Sequence, residues 1–162
     1  MWSGIRIPMP RDPAQGHSGF RRGRCSSVGA EYFVTICTDH RAAGLTLPPR
    51  AEGVLAEIQE MAADGVWRMR CAVIMPDHLH LLVELGAGLS RGKAVARLKA
   101  RNAAALRGAG LSWERGFFDR RLRAGDDVLD VFLDIFLNPY RAGLCRREEH
   151  WPWFAGHPDD WS

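Results

Sequence analysis

The chain has very little lysine for a basic protein. Its 162 residues include 22 lysines and arginines against 19 aspartates and glutamates, yet Lys93 and Lys99 are the only lysines. The other 20 basic residues are arginines, which bind phosphate in bidentate geometry and stack on bases. This bias favours a nucleic-acid partner. The alternative is the codon bias of a GC-rich genome, which raises Arg, Ala and Gly together.

The sequence also lacks the patterns of zinc domains, secreted domains and membrane proteins. No CxxC pair or zinc spacing occurs among its four scattered cysteines, which are Cys25, Cys37, Cys71 and Cys145. No apolar run approaches the length of a membrane span, and no apolar core of a secretory signal stands at the start. We therefore expect a reduced, cytoplasmic protein without a membrane partner.

The order of predicted elements indicates the fold. Residues 1–29, rich in Pro, Gly and Arg, are typical of an extended basic arm, and residues 30–162 suit a single domain. Hydrophobic periodicity predicts strands over 32–38, 67–75 and 79–85, a short strand within 113–123, and helices over 51–63, 90–107 and 126–138. This order predicts an α+β sandwich of the ferredoxin-like kind, an antiparallel sheet with helices on one face.

Two histidines stand at the start of the third predicted strand. Side chains alternate between faces along a strand, so His78 and His80 share one face and Leu79 takes the other. Two imidazoles on a rigid strand form half of a divalent-metal site. The alternative is an ordinary pair of hydrogen-bonded histidines, because His-x-His is short and recurs by chance.

Basic residues gather in three places. Arg21, Arg22 and Arg24 lie in the arm, where they suit contact with a phosphate backbone. Lys93, Arg97 and Arg101 are spaced four apart on one predicted helix face, which suits phosphate binding or a solvated face. Arg120 and Arg121 follow a run of aromatics, a mixture that suits base stacking plus backbone contact, or a partly buried core strand.

The last predicted helix is apolar almost all round, so we expect it to be buried. Its polar stripe consists of Asp130, Asp134 and Asn138. Carboxylates are rarely buried without a partner, so a metal, the arginines or the histidine pair would have to compensate them. The tail Trp151-Pro152-Trp153-Phe154 is predicted to pack as a hydrophobic lid.

Four blocks of the sequence resemble a known family. The segment 75–83, Met-Pro-Asp-His-Leu-His-Leu-Leu-Val, resembles the "MPNHxHLLV" segment of REP-associated tyrosine transposases and related single-tyrosine HUH transposases. Trp113 with residues 117–120 resembles their "W..gF.D+" block, residues 137–144 their "NPVRAGLV" signature, and residues 151–153 their closing "WPWSS". The order and spacing hold from about residue 32 to residue 154.

The resemblance implies a mechanism. In such enzymes two histidines and a polar residue from the later helix hold Mg²⁺ or Mn²⁺, which polarises the scissile phosphate of single-stranded DNA. A tyrosine on that helix attacks and leaves a 5′-phosphotyrosine link with a free 3′-hydroxyl. His78 and His80 match the histidine positions, and Asn138 matches the polar ligand.

The resemblance fails at the nucleophile. The family's tyrosine stands four residues before the Asn-Pro, and here that position is Asp134. The chain has two tyrosines: Tyr32 in the first predicted strand, and Tyr140 just past the helix end. Three interpretations stay open: Tyr140 is a relocated nucleophile, Asp134 joins the metal ligands, or the protein is a decayed transposase that binds DNA without cutting it.

The resemblance therefore implies a transposase-family protein that cleaves and rejoins single-stranded, hairpin-forming repeat DNA as a monomer or homodimer. The main alternative is a non-catalytic nucleic-acid-binding module, which could bind RNA on the same sheet. A metal-dependent phosphoesterase acting on small substrates is a third class, and the arginine-rich blocks suit a polymer better.

Overall fold

The computed structural model describes residues 26–156, which form a five-stranded antiparallel sheet. Along the chain lie β1 (Glu31–Cys37), α1 (Pro48–Ala63), β2 (Trp67–Ile74), β3 (His78–Leu85), α2 (Arg91–Arg107), β4 (Phe118–Arg121), α3 (Val128–Phe136), α4 (Asn138–Arg141) and β5 (Phe154–Gly156). The strand order β4-β1-β3-β2-β5 contains the ferredoxin-like arrangement, so the predicted α+β class is confirmed. The arm arginines Arg21, Arg22 and Arg24 lie outside the described residues.

The main core lies between the sheet and the helices α1 and α2. Val54, Ile58 and Met61 of α1 and Leu98 of α2 are fully buried against alternate residues of the strands. In β3 these inward residues are Leu79, Leu81, Val83 and Leu85, as the period of two requires. Both helices begin and end close to their predicted limits, and the Ser90 hydroxyl accepts a hydrogen bond from Lys93 N at the start of α2.

The helix α3 packs on the opposite face of the sheet, so the prediction of helices on one face holds only for α1 and α2. The buried side of α3 packs against strand residues that point away from the main core. This second cluster consists of Val131, Phe132 and Ile135 of the helix with Cys71, Val73, Met75 and Leu82. The strands β2 and β3 thus carry apolar side chains on both faces of the sheet. The face that α1 and α2 do not cover must be shielded from water by another element, and α3 does this. The histidines of β3 share this second face, because they alternate with Leu79 and Leu81.

The prediction that α3 is buried holds for one side of the helix only. Leu129 and Leu133 are 50% and 40% exposed, and Asp130 and Asp134 are exposed as well. One stripe of the helix contacts the sheet, and its remaining surface faces outward. The carboxylates therefore need no buried partner, because water solvates them.

The tail does more than cover the core. Phe154–Gly156 form β5, which pairs with β2 and adds an edge strand that the sequence pattern did not predict. Trp151 and Phe154 pack on the α3 side of the sheet, in agreement with the predicted lid. Among the described residues no helix is long and apolar enough to cross a membrane.

Two cations, a half-buried lysine and a buried arginine, hold the edge strand β4 in place. Lys99 donates hydrogen bonds from Nζ to the carbonyls of Glu114 and Gly116, each at 2.7 Å, in the loop that leads into β4. Arg91 forms an ion pair with the buried carboxylate of Asp119 and stacks over the Tyr32 ring at 4.4 Å. One of the two lysines and at least one arginine therefore stabilise the fold rather than a bound polymer.

Candidate metal and nucleic-acid site

The two histidines begin β3 and lie opposite polar residues of β1. The antiparallel register pairs Cys37 with His78 and Thr35 with His80. The imidazole rings stand edge to face with their centroids 4.7 Å apart, and the Phe33 ring stacks on His80 at 5.2 Å. The spacing prediction that both imidazoles share a face is confirmed by this contact.

Each histidine has its Nδ1 atom held by a neighbour. His78 Nδ1 lies 2.6 Å from the Asp77 carboxylate, and His80 Nδ1 lies 2.8 Å from the Thr35 hydroxyl. We assign a proton to His78 Nδ1, because the Asp77 carboxylate can only accept. The Thr35 hydroxyl can donate or accept, and a proton on His80 Nδ1 is the assignment that leaves Nε2 able to bind a metal. Among the described residues neither Nε2 atom has a hydrogen-bond partner. Both rings can thus adopt the tautomer of metal-ligating histidines, and Asp77 and Thr35 hold them in orientation.

Burial keeps the pair neutral. Removal from water lowers the pKa of His80 to about 3, and the nearby His78 and Arg41 act in the same direction. Burial also lowers the pKa of His78, although the Asp77 carboxylate opposes the shift. Burial alone would raise the pKa of Asp77, but hydrogen bonds from His78 and Arg41 outweigh it and the pKa lies below its usual value. At neutral pH the site offers two uncharged imidazole nitrogens and one paired carboxylate.

The donor set fits a divalent ion as an open site. Within residues 26–156, no three His, Cys, Asp or Glu side chains are grouped so that they could hold a metal ion. The two imidazoles would fill part of a coordination shell, and the other positions suit oxygen atoms from water, an amide or a phosphate. Asn138 begins α4, directly after α3, and among the described residues no hydrogen bond joins it to either histidine.

Asp134 occupies the predicted nucleophile position and pairs with an arginine. Its Oδ1 lies 3.0 Å from Arg141 Nη1, and the two side chains are 51% and 47% exposed. The structure does not bring this carboxylate into a group with the histidines. Its role as a metal ligand stays a prediction, which would require Asp134 to leave Arg141.

The two tyrosines lie in different surroundings. Tyr32 is 1% exposed in the main core, on the opposite face of the sheet from the histidines. The Tyr140 ring contacts Phe136, and its hydroxyl donates a hydrogen bond to the Glu149 carbonyl at 3.0 Å. Burial raises the pKa of Tyr140, so its environment does not favour the phenolate. Its role as a nucleophile stays a prediction.

The basic stripe of α2 lies on the far side of the sheet from the histidines. Arg97 forms ion pairs with Asp64, just past the end of α1, at 2.6 Å and with Glu57 of α1 at 3.5 Å, whereas Lys93 and Arg101 are exposed. The structure therefore does not join this stripe to the histidine pair. At least Arg97 contributes to the contact between the two helices.

The arginines of β4 divide between the two faces. Arg120 pairs with Phe33 in the register and so lies on the histidine face, where it also forms an ion pair with Asp126 at 2.9 Å. Arg121 is opposite Tyr32, and its Nη1 donates to the Ser27 hydroxyl at 3.3 Å. Of the predicted DNA-binding residues within the described chain, Arg120 lies on the same face as the histidine pair.

Sequence reasoning missed three residues that shape this site. Asp77 is adjacent to His78 in sequence and could have been recognised as its partner. Thr35 could be found only through the β1–β3 register. Arg41 stands in a loop without any periodic pattern, and its guanidinium donates from Nε to Asp77 Oδ2 at 2.9 Å.

The fold is similar to that of known transposases. One solved structure is a REP-associated tyrosine transposase bound to a REP hairpin, with a TM-score of 0.68 and 20% identity over 86% of this chain and 89% of that one. Another is a putative transposase from Deinococcus radiodurans, with a TM-score of 0.51 and 18% identity over 76% of this chain and 97% of that one. Among curated proteins, none has a matching sequence.

The family itself follows from the sequence model of IS200-like transposases, which matches residues 26–122. This match spans more than half of the chain, and the chain belongs to the IS200-like transposase family. The matched segment contains both histidines and the strands β1 to β4. It ends before α3, so Asp134, Asn138 and Tyr140 lie outside it.

Proposed function

We propose that this transposase-family protein binds single-stranded, hairpin-forming DNA and uses His78 and His80 for metal-assisted strand cleavage and rejoining. The observation that carries the proposal is the state of the two histidines: each is neutral, each has Nδ1 held, and each keeps Nε2 available on one face. The hairpin ligand of the similar REP-associated transposase supports a hairpin substrate.

The chain's own residues would orient both the ion and the strand. His78 and His80 would hold Mg²⁺ or Mn²⁺ through Nε2, while Asp77 and Thr35 keep the rings in place. The ion would supply Lewis-acid polarisation of a phosphate oxygen. Asn138 is the proposed third ligand. Arg120, on the same face, suits contact with the strand's backbone. Lys93, Arg97 and Arg101 lie on the far side of the sheet. With Arg121 and the arm arginines they stay predicted contacts for a strand that continues beyond the site.

Rejoining without an external energy source requires a covalent link. In the proposed step the Tyr140 oxygen forms a bond to phosphorus, the bond from phosphorus to the 3′-oxygen breaks, and that oxygen leaves with a proton as a 3′-hydroxyl. Tyr140 would first have to release the Glu149 carbonyl. With water as the nucleophile instead, the strand would be cut and not rejoined.

A second candidate function is DNA binding without cleavage. The ion pair of Asp134 with Arg141 and the hydrogen bond of Tyr140 favour it, because both nucleophile-related residues have other partners. The family's tyrosine position can be restored directly. If loss of the nucleophile is the only lesion, Asp134→Tyr will form a covalent DNA adduct that the natural chain lacks.

Binding and metal dependence test the proposal together. Fluorescence anisotropy would compare a labelled single-stranded hairpin with a blunt duplex of the same length, in Mn²⁺ and in EDTA. We expect the protein to bind the hairpin more tightly than the duplex. Mn²⁺ should increase the affinity for the hairpin, and His80→Ala should remove this increase. His150→Ala is the matched control, because His150 is an exposed histidine outside the loop between β1 and α1. Equal affinity for both DNAs would contradict the proposed substrate.

Size-exclusion chromatography with light scattering would decide between the monomer and the homodimer that the sequence leaves open. A cytoplasmic location also stays a prediction.

A further inference from the structure

We propose that Arg41 binds a phosphate of the DNA strand at the histidine pair. This inference rests on the proposed function and adds a substrate-binding residue to the same site. Arg41 lies in the loop between β1 and α1, outside every block of the sequence that suggested DNA contact. Its side chain nevertheless reaches the rim of the sheet where β3 begins.

The guanidinium contacts three groups of the site. Nε donates to Asp77 Oδ2 at 2.9 Å, Nη1 lies 3.1 Å from the Cys37 thiol, and Nη2 lies 3.4 Å from His78 Nδ1. His78 Nδ1 already gives its proton to Asp77, so it cannot also accept from Nη2. Sulfur is a weak acceptor. Arg41 thus has one strong acceptor for its five N–H donors among the described residues, and its side chain is 47% exposed.

The backbone holds this arginine in an uncommon conformation. His40 and Arg41 have φ values of 52° and 54°, in the left-handed region that residues with side chains rarely adopt. The Thr38 hydroxyl lies 2.7 Å from the Ala42 carbonyl and 3.0 Å from the Asp77 carbonyl, and Thr38 N donates to the latter at 2.9 Å. The loop is therefore fixed to the turn that carries Asp77, and the guanidinium is oriented before any ligand arrives.

The net charge of the site also favours a phosphate ligand. Asp77 balances Arg41, so a divalent ion at the histidines would leave the site strongly positive. A phosphodiester would offset part of this positive charge, and the planar fork of guanidinium donors suits that anion. The chemistry recognised is a phosphodiester of a single strand, at or next to the bond that is cut.

Three variants test this contact. Arg41→Gly removes the guanidinium and keeps the left-handed backbone, which glycine adopts readily. Arg41→Lys keeps the charge without the fork. Arg107→Ala is the matched control, because Arg107 is an exposed arginine in the last turn of α2, on the other side of the sheet. Anisotropy of the labelled hairpin in Mn²⁺ would be measured over a range of salt concentrations.

We expect Arg41→Gly to raise the dissociation constant about tenfold, as for loss of a charged hydrogen bond. The slope of log affinity against log salt should flatten by about 0.7, as for one phosphate of a single strand. Arg41→Lys should lie between, and Arg107→Ala should match the wild type. A neutral methylphosphonate at the contacted linkage should weaken the wild type more than it weakens Arg41→Gly, by about the same factor of ten.

Three results would overturn the inference in distinguishable ways. If the wild type binds the hairpin and Arg41→Gly binds it equally with the same salt slope, Arg41 does not contact phosphate and the proposed function survives. The same holds if calorimetry shows that Arg41→Gly loses Mn²⁺ affinity while the salt slope stays unchanged, since Arg41 would then act only through Asp77. If the wild type does not bind the hairpin at all, the proposed function falls and the inference falls with it.

Discussion

Burial of His80 should make the stability of the metal-free protein depend on pH. The folded state holds the pKa of His80 at about 3, whereas an unfolded chain has a pKa of about 6.5. The unfolded state therefore binds a proton that the folded state refuses, and the free energy of unfolding decreases as pH falls below 6.5. The full loss, complete only near pH 3, would be about 5 kcal/mol, at 1.36 kcal/mol per pKa unit.

At pH 5 the loss assigned to His80 is about 2 kcal/mol. Urea unfolding of the wild type and of His80→Gln would be followed by circular dichroism at pH 7.5 and pH 5 in EDTA. The glutamine side chain that His80→Gln introduces is neutral at both pH values. From pH 7.5 to pH 5 the wild type should therefore lose about 2 kcal/mol more of its free energy of unfolding than the variant. For the control variant His40→Gln, whose changed side chain is exposed, the free energy of unfolding should change between the two pH values as it does in the wild type. Parallel curves for His80→Gln as well would refute the reasoning that the imidazole is buried and neutral.

Three further changes test neighbouring parts of the account. Thr35→Val removes the hydroxyl that orients His80, so calorimetry should show a 10- to 100-fold loss of Mn²⁺ affinity, of the order found for such partners; unchanged affinity would argue against this role. Lys99→Met leaves two backbone carbonyls without their donor and should lower the free energy of unfolding in urea by about 1–3 kcal/mol, in contrast to no change if the ammonium were solvated. Asp134→Asn breaks the exposed pair with Arg141 and should change that free energy by less than about 1 kcal/mol; a larger loss would mean that Asp134 has a structural role.

The fold could be predicted because the apolar pattern is strong and local. The alternation in β1 and β3 and the helical periods of α1 and α2 fix which faces meet, and the element order selects the sheet topology. The position of α3 could not be predicted in this way. Its sequence is apolar apart from Asp130 and Asp134, and contact with the apolar second face of β2 and β3 decides which apolar side chains are buried.

The part of the candidate site that could be predicted also depends on a local pattern. The facing of His78 and His80 follows from the period of a strand, which is a local rule. Thr35 reaches the histidines through the pairing of β1 with β3, and Arg41 through the fixed loop. Both contacts depend on the tertiary structure, so the spacing of residues along the sequence does not reveal them. The stripe of α2 had a clear helical period, but periodicity does not reveal which side of the sheet a helix covers.

The most direct test of the central claim is a cleavage assay. Hairpin DNA labelled at its 3′ end would be incubated with the protein in Mn²⁺, Mg²⁺ or EDTA and resolved on denaturing DNA and protein gels. The account predicts strand cleavage that requires the metal and disappears in His80→Ala, with label migrating with the protein if Tyr140 is the nucleophile. Hairpin DNA that is bound and stays intact at every metal concentration would contradict it and leave the protein as a binding module.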